Sequence, residues 1–168
     1  MSRCYLDTNF LYGHLRSPPT GVPSPMEDWR ERTLAELTDD GGVVSPLVID
    51  ELAYRLVLAW LRDDGHADPL AAYRERPETV MPAMRDRLAA TWASLDSLGL
   101  ELDPTDREVT DRARALMAAP GLAPREAFHA AHAVEADCPV IVSSDRAFDR
   151  LPALRRLGPE PSGPAAED

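Results

Sequence analysis

Arg3-Cys4-Tyr5-Leu6-Asp7-Thr8-Asn9 is the stretch on which the fold turns: an apolar run of strand character ends on an aspartate, and a polar Thr-Asn pair separates it from Phe10-Leu11-Tyr12. A strand that ends on a carboxylate sets that charge at the rim of a sheet. In an open α/β sheet the rim at the carboxyl ends of the strands is where ligands bind. Asp7 therefore either serves a site there or caps the helix that follows, since Asp and Asn are favoured caps.

The pattern recurs far along the chain. Pro139-Val140-Ile141-Val142-Ser143-Ser144 is the clearest fully buried strand, and it too ends on an aspartate, Asp145. Between them, Val43-Val44 and Leu100-Glu101-Leu102 read as short strands, and Leu154 to Leu157 as a last edge strand. Helical spacing places helices over Asn9–Leu15, Met26–Leu37, Pro46 to about Arg62, Met84–Leu98 and Arg125–Asp137. A further helix, Pro104–Ala119, is expected to start at the Asp103-Pro104 cap signal, and Gly99 to stop the helix before it. Ser17–Pro25 reads as a loop, Thr38-Asp39-Asp40-Gly41-Gly42 as a turn, Asp63–Pro82 as a loop with a short helix, and Arg146–Arg150 as a helical turn. Strands alternating with helices predict a three-layer α/β/α sandwich on a parallel sheet of four to five strands. One domain is expected over residues 1–157, followed by a disordered acidic, Pro/Gly-rich tail, 158–168.

The formal charge is −11, and all 18 basic residues are arginine. Lysine-dependent Schiff-base and P-loop chemistry is thereby excluded. Bulk charge also opposes a polyanionic ligand, unless divalent ions or a local arginine cluster supply positive charge. No apolar run approaches the ~20 residues needed to span a bilayer. Without a basic-then-apolar leader pattern either, a cytoplasmic location is expected. Cys4 and Cys138 sit at strand beginnings and read as small core residues rather than a disulfide.

Two further acids fall near the rim. Glu51 lies in the second turn of the helix opened by Ser45-Pro46, inside the apolar run Leu47-Val48-Ile49-Asp50-Glu51-Leu52-Ala53; it is either on that helix's wet face or in a site. Glu126 lies in the first turn of the helix that follows Pro124. Asp7, Glu51, Glu126 and Asp145 would then gather where like charges repel by about 4 kcal/mol per pair at about 4 Å and an effective dielectric near 20. Such a cluster needs cations. All-oxygen donors favour hard ions, Mg²⁺ or Mn²⁺, which suit phosphodiester hydrolysis.

Leu6-Asp7-Thr8-Asn9, Ser45-Pro46-Leu47-Val48-Ile49-Asp50-Glu51-Leu52, Pro124-Arg125-Glu126-Ala127-Phe128-His129-Ala130-Ala131 and Val142-Ser143-Ser144-Asp145-Arg146-Ala147-Phe148 resemble, in this order, the four acidic motifs of PIN domains, above all the toxins of type II toxin–antitoxin pairs. The resemblance implies a Mg²⁺- or Mn²⁺-dependent ribonuclease on a five-stranded parallel sheet, an antitoxin partner and a homodimer. It assigns Asp7, Glu51 and Asp145 to the metal ligands and Asn9 to the polar residue of the first motif, with Thr8 and Ser144 as neighbours able to orient a ligand or water. Glu126 departs from the family, which normally has aspartate there; the extra methylene moves the carboxylate, and Asp149 is a possible substitute or a surface partner of an arginine. RNA contacts are expected from Arg16, Arg125, Arg146 and Arg150, whose alternative role is surface ion pairing.

Glu126-x-x-His129 has di-iron half-site spacing, but a bundle site needs two such pairs, so His129 reads as packed near the carboxylates. His132, His14 and His66 read as structural or exposed. A phosphoacceptor domain would need a late lysine, and an aspartate-nucleophile phosphatase would need an acid where Asn9 stands. The remaining alternative is a catalytically weak PIN-like protein that binds RNA or a protein partner without cutting.

Overall fold

Val140, Ile141 and Val142 are almost completely buried, as an apolar run with helices on both sides requires. They form β4 (Val140–Val142), hydrogen-bonded in parallel to β1 (Cys4–Leu6), with Cys4 opposite Val140 and Leu6 opposite Val142. In the computed structural model, which describes residues 3–16 and 25–159, β2 (Gly42–Val44), β3 (Glu101–Leu102) and β5 (Arg155–Leu157) complete one sheet in the order β3-β2-β1-β4-β5. Every pairing is parallel. The expected three-layer α/β/α sandwich is the fold observed, with five strands.

That order fixes where a site can form. From β1 the chain steps outward to β2 and β3, then returns across β1 to β4 and β5. The reversal lies between β1 and β4, and such a switch point opens a crevice beyond the strands' carboxyl ends. Asp7 and Asp145 follow those two neighbouring strands.

The helices are α1 (Thr8–Arg16), α2 (Pro25–Asp40), α3 (Pro46–Asp63), α4 (Pro69–Glu75), α5 (Pro77–Ala83), α6 (Arg85–Asp96), α7 (Arg107–Ala118) and α8 (Pro124–Glu135). Proline opens α3 and α8 within their first two positions, where its missing N–H costs nothing. The main core joins β1, β2 and β4 to α1, α3 and α8 through Leu6, Phe10, Leu52, Ala127, Ala130 and Ile141. The runs of alanine on α8 let that helix approach the sheet closely. Cys4 and Cys138 are buried in this core and are not disulfide-bonded.

Four local readings change. The insertion after α3 forms two short helices, α4 and α5, over a small core of its own made by Val57, Leu61, Ala72, Val80 and Met84. The helix expected from Pro104 starts at Arg107, because Asp106 accepts the Val109 N–H and caps it while Asp103 is taken by His132. Helix α2 continues through Thr38–Asp40 to Gly41, whose φ of 75° ends it. Helix α8 ends before Asp137 in a Schellman turn: Cys138 N–H reaches the Ala133 carbonyl, Asp137 N–H reaches that of Val134, and Asp137 itself holds a left-handed φ of 53°. The loop expected over Ser17–Pro25 falls, but for Pro25 in α2, outside the described residues, as does nearly all of the tail expected from Gly158. No helix among the described residues is long and apolar enough to cross a membrane.

Candidate active site

The sheet's switch point brings the four predicted acids to one cleft of about 160 Å³, lined by Asp7, Glu51, Glu126 and Asp145 together with Thr8, Asn9, Arg55, Arg125, His129 and Phe148. A water's share of liquid volume is about 30 Å³, so the cleft has room for ions with part of their hydration shells.

Asp7 sits just past β1, and its backbone carbonyl accepts the Phe10 and Leu11 N–H groups that start α1. Oδ2 accepts the Ser143 hydroxyl at 2.6 Å, which joins the Asp7 side chain to the end of β4. Burial pushes the Asp7 pKa up; nearby His129 and the bonds from Ser143 and the Thr8 backbone N–H oppose that shift without cancelling it.

Glu51 leaves α3 one and a half turns after Pro46. Its Oε1 pairs with Arg125 at 2.9 Å, while Oε2 accepts Thr8 Oγ1 at 3.1 Å and faces His129 Nε2 at 3.4 Å. The bond from His129, and then the charge of Arg125, hold its pKa down at about 2 against the opposing effect of burial. Two adjacent carboxylates thus have pKa values pushed in opposite directions, one poorly compensated and one well compensated.

Asp145 caps the 3₁₀ turn Arg146–Arg150 through the Ala147 N–H at 2.8 Å. Glu126 presents a buried Oε2 with no hydrogen-bond partner. A buried carboxylate oxygen left unpaired is costly, and Glu126 lines a cleft whose other acids also supply oxygen donors. This donor set fits a hard divalent ion. Among the described residues, no three His, Cys, Asp or Glu side chains already converge on an ion position. Glu51 is instead held by an internal cation, Arg125.

Asn9 donates to Ser143 Oγ at 3.0 Å, as does the Asp145 backbone N–H at 2.9 Å, and Ser143 in turn donates to Asp7. This one hydroxyl is fully used, and it ties the end of β1 to the end of β4. Of the expected polar pair, Ser144 is exposed and contributes its backbone N–H to Asn9 Oδ1, so Ser143 holds the position that the sequence reading gave to Ser144.

The arginines divide. Arg125 lines the cleft, whereas Arg16 makes a bidentate pair with Asp63 outside its lining, and Arg146 and Arg150 are exposed beyond it. Asp149 pairs with Arg156, as its surface reading predicts. Arg55, not singled out from sequence, does line the cleft, with its guanidinium 4.2 Å above the Tyr12 ring. It lies four residues after Glu51, and that spacing on a helix was the available signal. His129 lies beside the carboxylates as expected, while His132 is fully buried, 2.6 Å from Asp103 Oδ2 and 3.1 Å from Thr105 Oγ1.

A doubly wound parallel sheet with a cleft lined by four acidic side chains at its switch point places the chain among open-sheet α/β proteins. Within that class, the PIN domain family model matches residues 4–154, and the chain belongs to that family. No curated protein matches it in sequence. Among solved structures it is similar to VapBC2 from Rickettsia felis bound to a DNA fragment from their promoter, at 17% identity and a TM-score of 0.55, covering 93% of this chain and 98% of that one. It is also similar to a toxin–antitoxin complex from Klebsiella pneumoniae, at 14% identity and a TM-score of 0.53, covering 90% and 95% of the two chains. FitAB bound to an IR36 DNA fragment gives 18% identity and a TM-score of 0.52, with 93% and 94% covered.

Proposed function

We propose that this protein is a Mg²⁺- or Mn²⁺-dependent ribonuclease and the toxin of a toxin–antitoxin pair. The observation that carries the reading is the single cleft lined by Asp7, Glu51, Glu126 and Asp145, in which Glu126 Oε2 is buried without a partner. These four residues would hold the metal, which supplies an activated water and stabilises charge developing on a phosphoryl oxygen. Ser143 and Asn9 keep Asp7 and Asp145 at their spacing, and Thr8 steadies Glu51. Arg125 and Arg55, on the cleft wall, are placed to meet the phosphates of a strand on either side of the cut bond. Were Glu51 to ligate the ion, Arg125, its present partner at 2.9 Å, would be free to pair with a substrate phosphate.

The similar structures include a toxin–antitoxin complex from Klebsiella pneumoniae, which supports an antitoxin partner here. An acidic cleft suits a partner that inserts a basic side chain. A homodimer and a cytoplasmic location belong to the same reading.

Incubation of the purified chain with single-stranded RNA and Mn²⁺ tests it. Cleavage is expected for the wild type, lost in EDTA and lost in Asp7→Asn. A protein that binds Mn²⁺ yet leaves every RNA intact would instead support the non-cutting, binding-only alternative.

A further inference from the structure

Ser45 is the residue before α3 and belongs to the best class of helix caps, yet its side chain caps nothing. Its hydroxyl is spent on Tyr5, 2.7 Å away. Tyr5 lies in the central strand, two residues before Asp7, completely buried, and its hydroxyl also meets His129 Nδ1 at 3.0 Å. On the far side of that ring, His129 Nε2 stands 3.4 Å from Glu51 Oε2 and 3.6 Å from Asp7 Oδ1. Three elements that carry the cleft's acids, β1, α3 and α8, are therefore tied together at one buried phenol.

The proton order along this line follows from its ends. A bare nitrogen lone pair facing two carboxylates is repelled, so Nε2 carries the hydrogen. With a neutral imidazole, Nδ1 then accepts from the Tyr5 hydroxyl, which accepts from Ser45. With a charged imidazole, Nδ1 donates to Tyr5, which donates to Ser45. Nε2–H faces Asp7 and Glu51 in both cases.

We infer that His129, fixed by Tyr5 and Ser45, is a positioning residue whose Nε2–H orients the Asp7 and Glu51 carboxylates that would receive a divalent ion. The inference rests on the metal-dependent reading of the cleft, and it adds a role to a residue outside the four acids. A histidine N–H behind a ligating carboxylate fixes its orientation, and loss of such an outer partner typically weakens metal binding by about 10- to 100-fold.

Titration of free Mn²⁺ by electron paramagnetic resonance on wild type, His129→Leu, His129→Gln and Tyr5→Phe separates the outcomes, with thermal melts to show that each is folded. His129→Leu should weaken Mn²⁺ binding by about 10- to 100-fold. His129→Gln, whose amide can still donate, should recover most of that loss. Tyr5→Phe, which keeps the buried ring and removes only the hydroxyl, should weaken binding in the same direction by about threefold or more. Unchanged affinity in folded His129→Leu and Tyr5→Phe overturns the inference, as does a nitrogen coupling showing that His129 ligates the ion directly. A wild type that binds no Mn²⁺ fails at the earlier step and overturns the metal-dependent reading itself.

Discussion

Asp7 and Glu51 are neighbours with opposite electrostatic fates, and their pH behaviour separates them. Burial raises the folded-state pKa of Asp7 above its ordinary 3.8, so the stability linked to it is full at low pH and is lost as pH rises through the folded value. His129 and Arg125 lower that of Glu51 from 4.5 to about 2, so its contribution is present above 4.5 and is lost as pH falls toward 2. In EDTA, Asp7→Asn should therefore gain stability over wild type as pH rises from about 3 to 7. Glu51→Gln should lose stability over the same range. Urea melts at both ends of that range check the two signs, and parallel slopes for the two variants would contradict the assignment. The acids themselves were readable from sequence because each stands where a strand ends or a helix begins. Ser143 was not, because in Ser143-Ser144 only the strand's pleat decides which hydroxyl faces Asp7, and two identical residues carry no signal of that choice.

Helix ends show where local sequence stops being sufficient. Asp103-Pro104 and Asp106-Arg107 are both plausible starts for α7, and the choice is made by His132 on α8, which engages Asp103 and leaves Asp106 to cap. A contact between residues 29 apart settles a question that neighbours leave open. The end of α8 shows the reverse case. Its Schellman turn requires a left-handed residue, and the exposed Asp137 fills that place with a side chain that disfavours it. Asp137→Gly should stabilise the protein by about 1 kcal/mol, read as a higher midpoint in chemical denaturation. A lower midpoint would mean that the Asp137 side chain makes a stabilising contact that outweighs its backbone cost.

At the scale of the molecule, the alternation of strand and helix made the parallel sheet legible, and the −11 charge made clear that any polyanion must be met locally. The sequence could not say where, since 18 arginines offer many candidates and ion pairing engages several of them. Arg16, Arg87, Arg112 and Arg156 are each held by a carboxylate. With Arg55 and Arg125 as the cationic side chains on the cleft wall, RNA affinity should fall only gently with salt. Each neutralised phosphate of a single strand contributes about −0.7 to the slope of log affinity against log salt, so the slope should be near −1.5. A slope steeper than about −3, measured with Asp7→Asn to prevent cutting, would show that arginines outside the cleft bind the strand.

The central strand pairs on one side with β4, and the Asp7 carboxylate is anchored by Ser143. During translation, β1 must wait for residues more than a hundred positions downstream before it can be enclosed. Until β4 and the Ser143 hydroxyl have emerged, the cleft therefore lacks the partner that anchors Asp7, and its assembly is bound to a contact of long sequence separation.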